Sequence, residues 1–216
     1  MNGRKKVMNT TPETTKKNTV FNVPNTLSLI RVLLVPAFVA TLIFMRKIPI
    51  WGIVAPTLIY IITALTDALD GHIARKYNLI TQFGKFIDPL ADKFMVIASQ
   101  FAIMAWLIMT AKDDSDAILA LIFVWVVLII LFRELAVTGL RLAVGGKVDV
   151  AASIFGKMKT VSQMVGTVVM LVEPLTPFFK DNHILSYVVL AVMTFTTIFS
   201  FFEYLKAYLP HIDFSK

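Results

Sequence analysis

The chain has 216 residues, of which 57% are hydrophobic and 16% are charged, whereas a soluble domain has roughly 45–50% and about 25%. This composition excludes a water-soluble globule, because a core of this size cannot bury so much apolar surface. Cysteine is absent, which excludes disulfides and thiolate metal ligands. The formal net charge of +7 favours contact with anionic membrane lipids, and we expect no nucleic-acid partner.

Residues 1–21 form a polar, basic segment that differs from the rest of the chain. It contains five Lys and Arg residues and shows no apolar periodicity. No apolar region with a small-residue cleavage site follows at the distance typical of a signal peptide. We therefore predict a cytoplasmic N-terminal segment over 1–21 and one membrane domain over 22–216.

Six apolar segments follow, each long enough to cross a hydrocarbon layer of roughly 30 Å, which takes about 20 residues. Each is predicted to be a helix, because an open strand in lipid would leave backbone groups unpaired. The predicted fold class is an all-α integral membrane protein with six transmembrane helices. The segments are Thr26–Phe44, Ile50–Arg75, Phe83–Thr110, Ala117–Leu142, Ile154–Val172 and Ile184–Leu209.

The basic residues predict the orientation of these segments. Six spans place both termini on one side, and only Arg46, Lys47, Lys112 and Lys180 then fall on the other side, against 17 of the 21 Lys and Arg residues. Because basic loops remain in the cytoplasm, we expect both termini and the second and fourth loops to be cytoplasmic.

Carboxylates are densest where the second segment ends and the third begins. Asp67 and Asp70 are spaced i, i+3, and Asp88 and Asp92 are spaced i, i+4. Both spacings stack side chains on one helix face. A short turn near 78–80 predicts an antiparallel pair of helices with Asp67 level with Asp92 and Asp70 level with Asp88. The four carboxylates are therefore expected to converge.

Converging carboxylates repel one another at low dielectric, so a cation must lie between them. Ligation by oxygen alone favours Mg²⁺, Mn²⁺ or Ca²⁺, and two-metal sites typically carry out phosphoryl-type displacement. Gly71, Ala74 and Gly84 leave space beside the acids, and Arg75 suits phosphate oxygens. Salt bridges between the helices are the alternative, but they explain neither the register nor the small residues.

The pattern Asp67-x2-Asp70-Gly71-x2-Ala74-Arg75-x8-Gly84-x3-Asp88-x3-Asp92 resembles the signature of the CDP-alcohol phosphatidyltransferases. The six-segment layout over about 22–209 is similar to that family as well. The resemblance implies that an alcohol attacks the β-phosphorus of a CDP-linked lipid and releases CMP.

The resemblance also implies roles for individual residues. Asp67, Asp70, Asp88 and Asp92 would bind two divalent cations, Mg²⁺ or Mn²⁺, and Asp92 would also be the catalytic base. It further implies a homodimer in a bacterial plasma membrane, with a polar active-site cavity that faces the cytoplasm. The residues expected to contact the CDP-lipid are Asn25, Thr66, Gly71, Ala74, Arg75 and Gly84.

Five further cations, on three of the predicted helices, indicate a phosphorylated acceptor. A neutral acceptor such as inositol would not need so many positive charges. Their surroundings resemble the branch of the family that joins CDP-diacylglycerol and glycerol 3-phosphate. Snorkelling at the membrane interface is the alternative explanation for these cations. Residues 157 and 159 lie roughly 200° apart around a helix, so both reach one pocket only if the helix begins irregularly. The predicted phosphate ligands are Arg31, Arg133, Arg141, Lys157 and Lys159.

Two other functions stay open at this stage. The same chemistry could use inositol phosphate, serine or a phospholipid as acceptor. A divalent-cation transporter is a different class, and it predicts acids near the bilayer midplane and repeated or broken helices. The chain shows no internal repeat, and its acids cluster beside Arg75 toward the cytoplasmic side.

Overall fold

The computed structural model describes residues 23–77, 81–144, 154–179 and 182–212, without the side chains of residues 24, 68, 70–77 and 85. These residues are predominantly helical and contain no strand. Two short 3₁₀ turns, Glu173–Leu175 and Leu209–His211, follow the last two long helices. The long helices are α1 (Val23–Phe44), α2 (Trp51–Tyr77), α3 (Gln82–Thr110), α4 (Asp114–Val144), α5 (Ile154–Val172) and α6 (Ile184–Tyr208).

Each predicted segment coincides with one of these helices, and the ends differ by a few residues only. Among the described residues, four stretches are long and apolar enough to cross a membrane: Asn25–Phe44, Gln82–Thr110, Asp114–Val144 and Ile184–His211. The apolar part of α2, Trp51–Asp67, is shorter. The prediction of a helical membrane protein is thereby confirmed. The expected N-terminal segment 1–21 lies outside the described residues.

The helices form two groups of three. Helix α1 packs against α2 and α3, while α6 packs against α4 and α5. Contacts of α3 with α4, and of α5 with α2 and α3, join the groups. All six helices contribute to the main core, for example with Leu42, Tyr60, Ile103, Phe123, Leu171 and Met193.

Large apolar side chains also cover the outside of the bundle. Leu33 is 73% exposed, Phe44 80%, Trp125 63% and Leu142 77%. An exposed apolar surface of this extent is unfavourable in water, so these side chains indicate contact with lipid.

Helices α5 and α6 approach closely at Gly166. A Cβ atom at this position would lie 2.5 Å from Sδ of Met193 and 2.6 Å from Cγ1 of Val189. Beside the glycine, the hydroxyls of Ser162 and Thr196 are 2.8 Å apart. A small residue flanked by interhelical hydrogen bonds is a typical helix contact in membranes, and it fixes α5 against α6.

Glu173 caps the start of α6. Its buried carboxylate accepts hydrogen bonds from the backbone N–H of Leu185 at 2.8 Å and of Ser186 at 3.1 Å, and also from the Ser186 hydroxyl. These amides belong to the first turn of the helix, where backbone N–H groups have no partner within the helix. A carboxylate there also interacts favourably with the helix dipole.

We expect Glu173→Ala to lower the free energy of unfolding by about 1–3 kcal/mol, because it leaves buried N–H donors unpaired. Glu173→Gln retains an acceptor oxygen and should cost less. Thermal unfolding in detergent measures both variants. Equal stability of Glu173→Ala and the unsubstituted protein would contradict the capping role.

Candidate active site

Arg31 joins the carboxylates of two other helices. The residue is fully buried on α1. Its Nη1 atom lies 2.7 Å from Oδ1 of Asp67 on α2 and also contacts Oδ1 of Asp92 on α3. The side chain of Asp92 is 51% exposed and that of Asp67 27%. Both carboxylates therefore converge on one nitrogen atom while remaining accessible to a ligand.

Helix α1 connects these acids, because it packs against both α2 and α3 and supplies the cation that their carboxylates share. The turn expected near 78–80 between the second and third helices lies outside the described residues. Asp88 is also held by α1, because it accepts a hydrogen bond of 2.6 Å from the hydroxyl of Ser28. The side chain of Asp70 lies outside the described part of the structure.

The described acids suit a hard divalent cation. Asp67, Asp88 and Asp92 offer only oxygen ligands, which Mg²⁺ and Mn²⁺ prefer. Asp67 and Asp92 meet at the positively charged nitrogen of Arg31, so these two carboxylates already face a cation. The donor chemistry of the described acids therefore suits a hard divalent cation.

Three residues predicted to contact the CDP-lipid have described side-chain surroundings. The Nδ2 atom of Asn25 donates to Oγ1 of Thr81 at 2.9 Å, and the same oxygen accepts the backbone N–H of Gly84 at 2.9 Å. Thr81 thereby caps α3. Thr66 donates within its own helix to the carbonyl of Thr63 at 2.7 Å. The side chains of Ala74 and Arg75, and the surroundings of Gly71, lie outside the described part.

Asn25 leaves no room for a side chain at Gly84. A Cβ atom at Gly84 would lie 2.7 Å from Oδ1 of Asn25 and 3.2 Å from Oγ1 of Thr81. A separation under 3 Å requires one of the groups to move. The glycine of the signature therefore permits the approach of α1 to the start of α3, whatever ligand binds beside it.

A cavity of about 120 Å³ connects the acids to the basic residues. It lies between α2, α3, α4 and α5. Its polar lining consists of Asp67, Asp92, Lys93, Glu134, Lys159 and Thr160. Metal-binding and phosphate-binding candidates thus face the same space.

Lys159, which lines this cavity, shares the carboxylate of Glu134 with Arg133, which lies behind the lining residues. Both cations are buried. The Nζ atom of Lys159 contacts Oε1 of Glu134, and Nη1 of Arg133 lies 3.0 Å from the same oxygen. Arg133 also donates to the hydroxyl of Ser200 at 2.6 Å. The cluster therefore joins α4, α5 and α6 with a surplus of positive charge.

Tyr204 holds two of the predicted phosphate ligands. The guanidinium carbon of Arg133 lies 5.1 Å from the centre of its ring, and that of Arg141 lies 5.3 Å from it. Arg141 also donates to the phenol oxygen at 3.3 Å. Such cation–π contacts are favourable and orient the guanidinium groups. Arg141 itself is exposed, as is Lys157, and neither lines the 120 Å³ cavity.

Sequence reasoning missed several residues of this site. Glu134 follows Arg133 directly in the sequence, and Lys93 follows Asp92, so proximity to predicted site residues was an available signal. Lys93 lines the cavity, and its Nζ atom donates to the hydroxyl of Thr138 at 2.7 Å. Tyr204 carries no such signal, because it is far along the sequence from the predicted site residues.

The larger cavity, of about 450 Å³, lies at the opposite end of the bundle. It is lined by residues such as Arg46, Trp106, Lys112 and Asp116. None of the predicted site residues with described side chains lines it. The described acids of the aspartate signature therefore lie away from the larger cavity.

Comparison with known proteins establishes the family. Residues 21–201 match the model of the family described as CDP-alcohol phosphatidyltransferase. Because this match spans most of the chain, the protein belongs to the CDP-alcohol phosphatidyltransferase family. The resemblance noted from the aspartate signature is thus confirmed.

Bacterial relatives named CDP-diacylglycerol–glycerol-3-phosphate 3-phosphatidyltransferase are similar over nearly their whole length. The relative from Bacillus subtilis is 37% identical over 196 residues, which cover 86% of this chain and 94% of the relative. The relative from Escherichia coli K12 is 35% identical, with 87% and 94% covered. That from Pseudomonas fluorescens is 32% identical, with 88% and 92% covered.

We expect Gly84→Ala to lower the free energy of unfolding by about 1–3 kcal/mol, because the added methyl overpacks the contact with Asn25. Gly139→Ala is the matched control, since no atom lies within 4 Å of a Cβ placed there. In an Asn25→Ala background, Gly84→Ala should cost less than it does alone. Thermal unfolding of the four variants measures this coupling, and additive effects would contradict it.

Proposed function

We propose that this protein transfers the phosphatidyl group of CDP-diacylglycerol to glycerol 3-phosphate, which yields phosphatidylglycerol phosphate and CMP. The observation that carries the proposal is the cavity with Asp67 and Asp92 on one side and Lys159 on the other. Such a pairing suits a reaction between a diphosphate lipid and a phosphorylated acceptor. The names of the relatives support the same substrates.

In this proposal, Asp67, Asp70, Asp88 and Asp92 would hold two divalent cations, Mg²⁺ or Mn²⁺. When bound, the cations neutralise charge on the diphosphate and make the acceptor hydroxyl more acidic. Arg31 keeps the carboxylates of Asp67 and Asp92 oriented through its shared nitrogen contact.

Asp92 acts as the general base. About half of its side chain is exposed, so an acceptor hydroxyl can reach the carboxylate and transfer its proton there. The hydroxyl oxygen then bonds to the β-phosphorus, and the bond from that phosphorus to the bridging oxygen breaks. CMP leaves with the electron pair of the broken bond.

The remaining site residues bind the two substrates. We assign six residues to the CDP-lipid, of which all but Asn25, on α1, lie on the helices of the aspartates: Asn25, Thr66, Gly71, Ala74, Arg75 and Gly84. Lys159 and Arg133 receive the acceptor phosphate, with Arg141 and Lys157 nearer the outside. Arg31, also predicted to be a phosphate ligand, contacts Asp67 and Asp92, and we assign it a role beside the diphosphate.

We propose that all six helices span the membrane of a bacterium as a single domain over 22–216, that the cavity and both termini face the cytoplasm, and that the protein is a homodimer. Helices α1, α3 and α5 begin, and α2 and α4 end, on the side of the bundle where the cavity lies. By alternation, this side carries 17 of the 21 Lys and Arg residues, which supports a cytoplasmic orientation.

Release of CMP with single acceptors tests the function. Purified protein with CDP-diacylglycerol and Mg²⁺ should release CMP with glycerol 3-phosphate and not with glycerol, serine or inositol. Glycerol is the matched control, since it differs from the proposed acceptor by the phosphate only. A preference for glycerol or inositol would overturn the acceptor assignment.

The CMP-release assay also tests whether activity requires divalent cations. Chelation should abolish CMP release, and added Mg²⁺ or Mn²⁺ should restore it. Full activity under thorough chelation would contradict the two-metal proposal.

We expect Asp92→Asn to reduce turnover by about 10²–10⁴-fold, because an amide cannot accept the proton. The steady-state rate of CMP release measures this effect, and a CDP-lipid binding assay shows whether the ground state is retained. Asp116→Asn, at the opposite end of the bundle, is the matched control and should remain active. A rate near that of the unsubstituted protein would contradict the assignment of the base.

A further inference from the structure

Glu134 occupies the centre of the basic cluster and also faces the cavity. Its side chain is only 12% exposed. One oxygen, Oε1, contacts both the ammonium of Lys159 and the guanidinium of Arg133. The same residue lines the cavity opposite Asp67 and Asp92. It is therefore the acid through which α4 fixes a cation of α5 beside the acids of α2 and α3.

Lys159 depends on this carboxylate more than Arg133 does. Arg133 has additional contacts with the hydroxyl of Ser200 and the ring of Tyr204. Within the described part of the chain, the ammonium of Lys159 has its hydrogen bond and ion pair with Glu134. A buried ammonium without a counter-charge is strongly destabilised, and a free lysine side chain loses rotamer entropy when it is held in one orientation.

The charge balance of the cluster is suited to an anion. Arg133 and Lys159 carry two positive charges, and Glu134 carries one negative charge. The negative charge of Glu134 allows both cations to be buried without a bound anion. The cluster keeps a net charge of one positive unit, which attracts a phosphate. A neutral residue in place of Glu134 would leave two unpaired cations that repel each other.

We propose that Glu134 is a positioning residue for the acceptor: it keeps the ammonium of Lys159 at the cavity wall, where it binds the phosphate of glycerol 3-phosphate. This inference rests on the proposed function for the identity of the acceptor. Glu134 makes no contact with the reacting atoms in this role, and it acts through Lys159.

Kinetics with each substrate varied separately test the inference. Glu134→Ala should raise the KM for glycerol 3-phosphate by roughly 10–100-fold, the loss expected for a charged hydrogen bond. The KM for CDP-diacylglycerol should stay within about twofold. Glu134→Gln retains an acceptor oxygen and should give a smaller rise. In a Lys159→Ala background, Glu134→Ala should add little, because the positioned group is already gone.

Glu173→Ala is the matched control for a general loss of stability. It removes another buried glutamate at the opposite end of the bundle, and it should leave the acceptor KM unchanged. If Glu134→Ala likewise leaves that KM unchanged, the role of Glu134 is structural only and the inference is wrong. A Glu134→Gln variant with a lower acceptor KM would also overturn it, because the carboxylate would then compete with the phosphate.

Amine labelling separates this inference from the proposed function. The acylation rate of Lys159, followed by mass spectrometry in the unliganded protein, should rise in Glu134→Ala relative to the unsubstituted protein. An unchanged rate would overturn the positioning role without reference to any acceptor. If the unsubstituted protein releases no CMP with glycerol 3-phosphate, the proposed function fails, while the labelling still decides whether Glu134 positions Lys159.

Discussion

The contact of Arg31 with two carboxylates determines the arrangement of the first three helices. A guanidinium that is fully buried must be compensated, since an unpaired charge in the interior is strongly destabilising. Asp67 and Asp92 provide this compensation from two different helices. Ser28 lies three residues before Arg31, and Asn25 three before Ser28, so each is about 60° further around α1, and they bind Asp88 and Thr81. One side of α1 thus sets the level of α2 and α3.

The chemistry lies where the two groups of three helices meet. The acids belong to α2 and α3, whereas the buried cations Arg133 and Lys159 belong to α4 and α5. The 120 Å³ cavity lies between them, and Lys93 crosses beside it from α3 to Thr138 on α4. Within each group the charged side chains are paired with their own counter-ions. Asp67 and Asp92 contact Arg31, and Glu134 contacts Arg133 and Lys159. Such a division suits two ligands that meet across the cavity, one with a diphosphate beside the acids and one with a phosphate beside the buried cations.

Local sequence patterns predicted the helices well and the long-range contacts poorly. Apolar runs determine helix positions, because each span must satisfy its own backbone in lipid. The i, i+3 and i, i+4 spacings placed Asp67 with Asp70 and Asp88 with Asp92 on helix faces, but they could not show that a third helix would join them. Lys157 and Lys159 differ only in their phase around α5. That phase depends on where the helix begins and on how Gly166 packs against α6, which no local pattern contains.

The aromatic ring of Tyr204 affects the association rate of an anionic ligand, because it fixes the positions of two arginines. It holds Arg141, which is exposed, and Arg133, which is buried, so that positive charge extends from the exposed C-terminal end of α4 into the interior. An anion approaching this end meets a fixed attractive field before it makes any contact. Association would then be accelerated by long-range steering and slowed by added salt, since the exposed part of the field is screened beyond a Debye length of about 8 Å at physiological ionic strength.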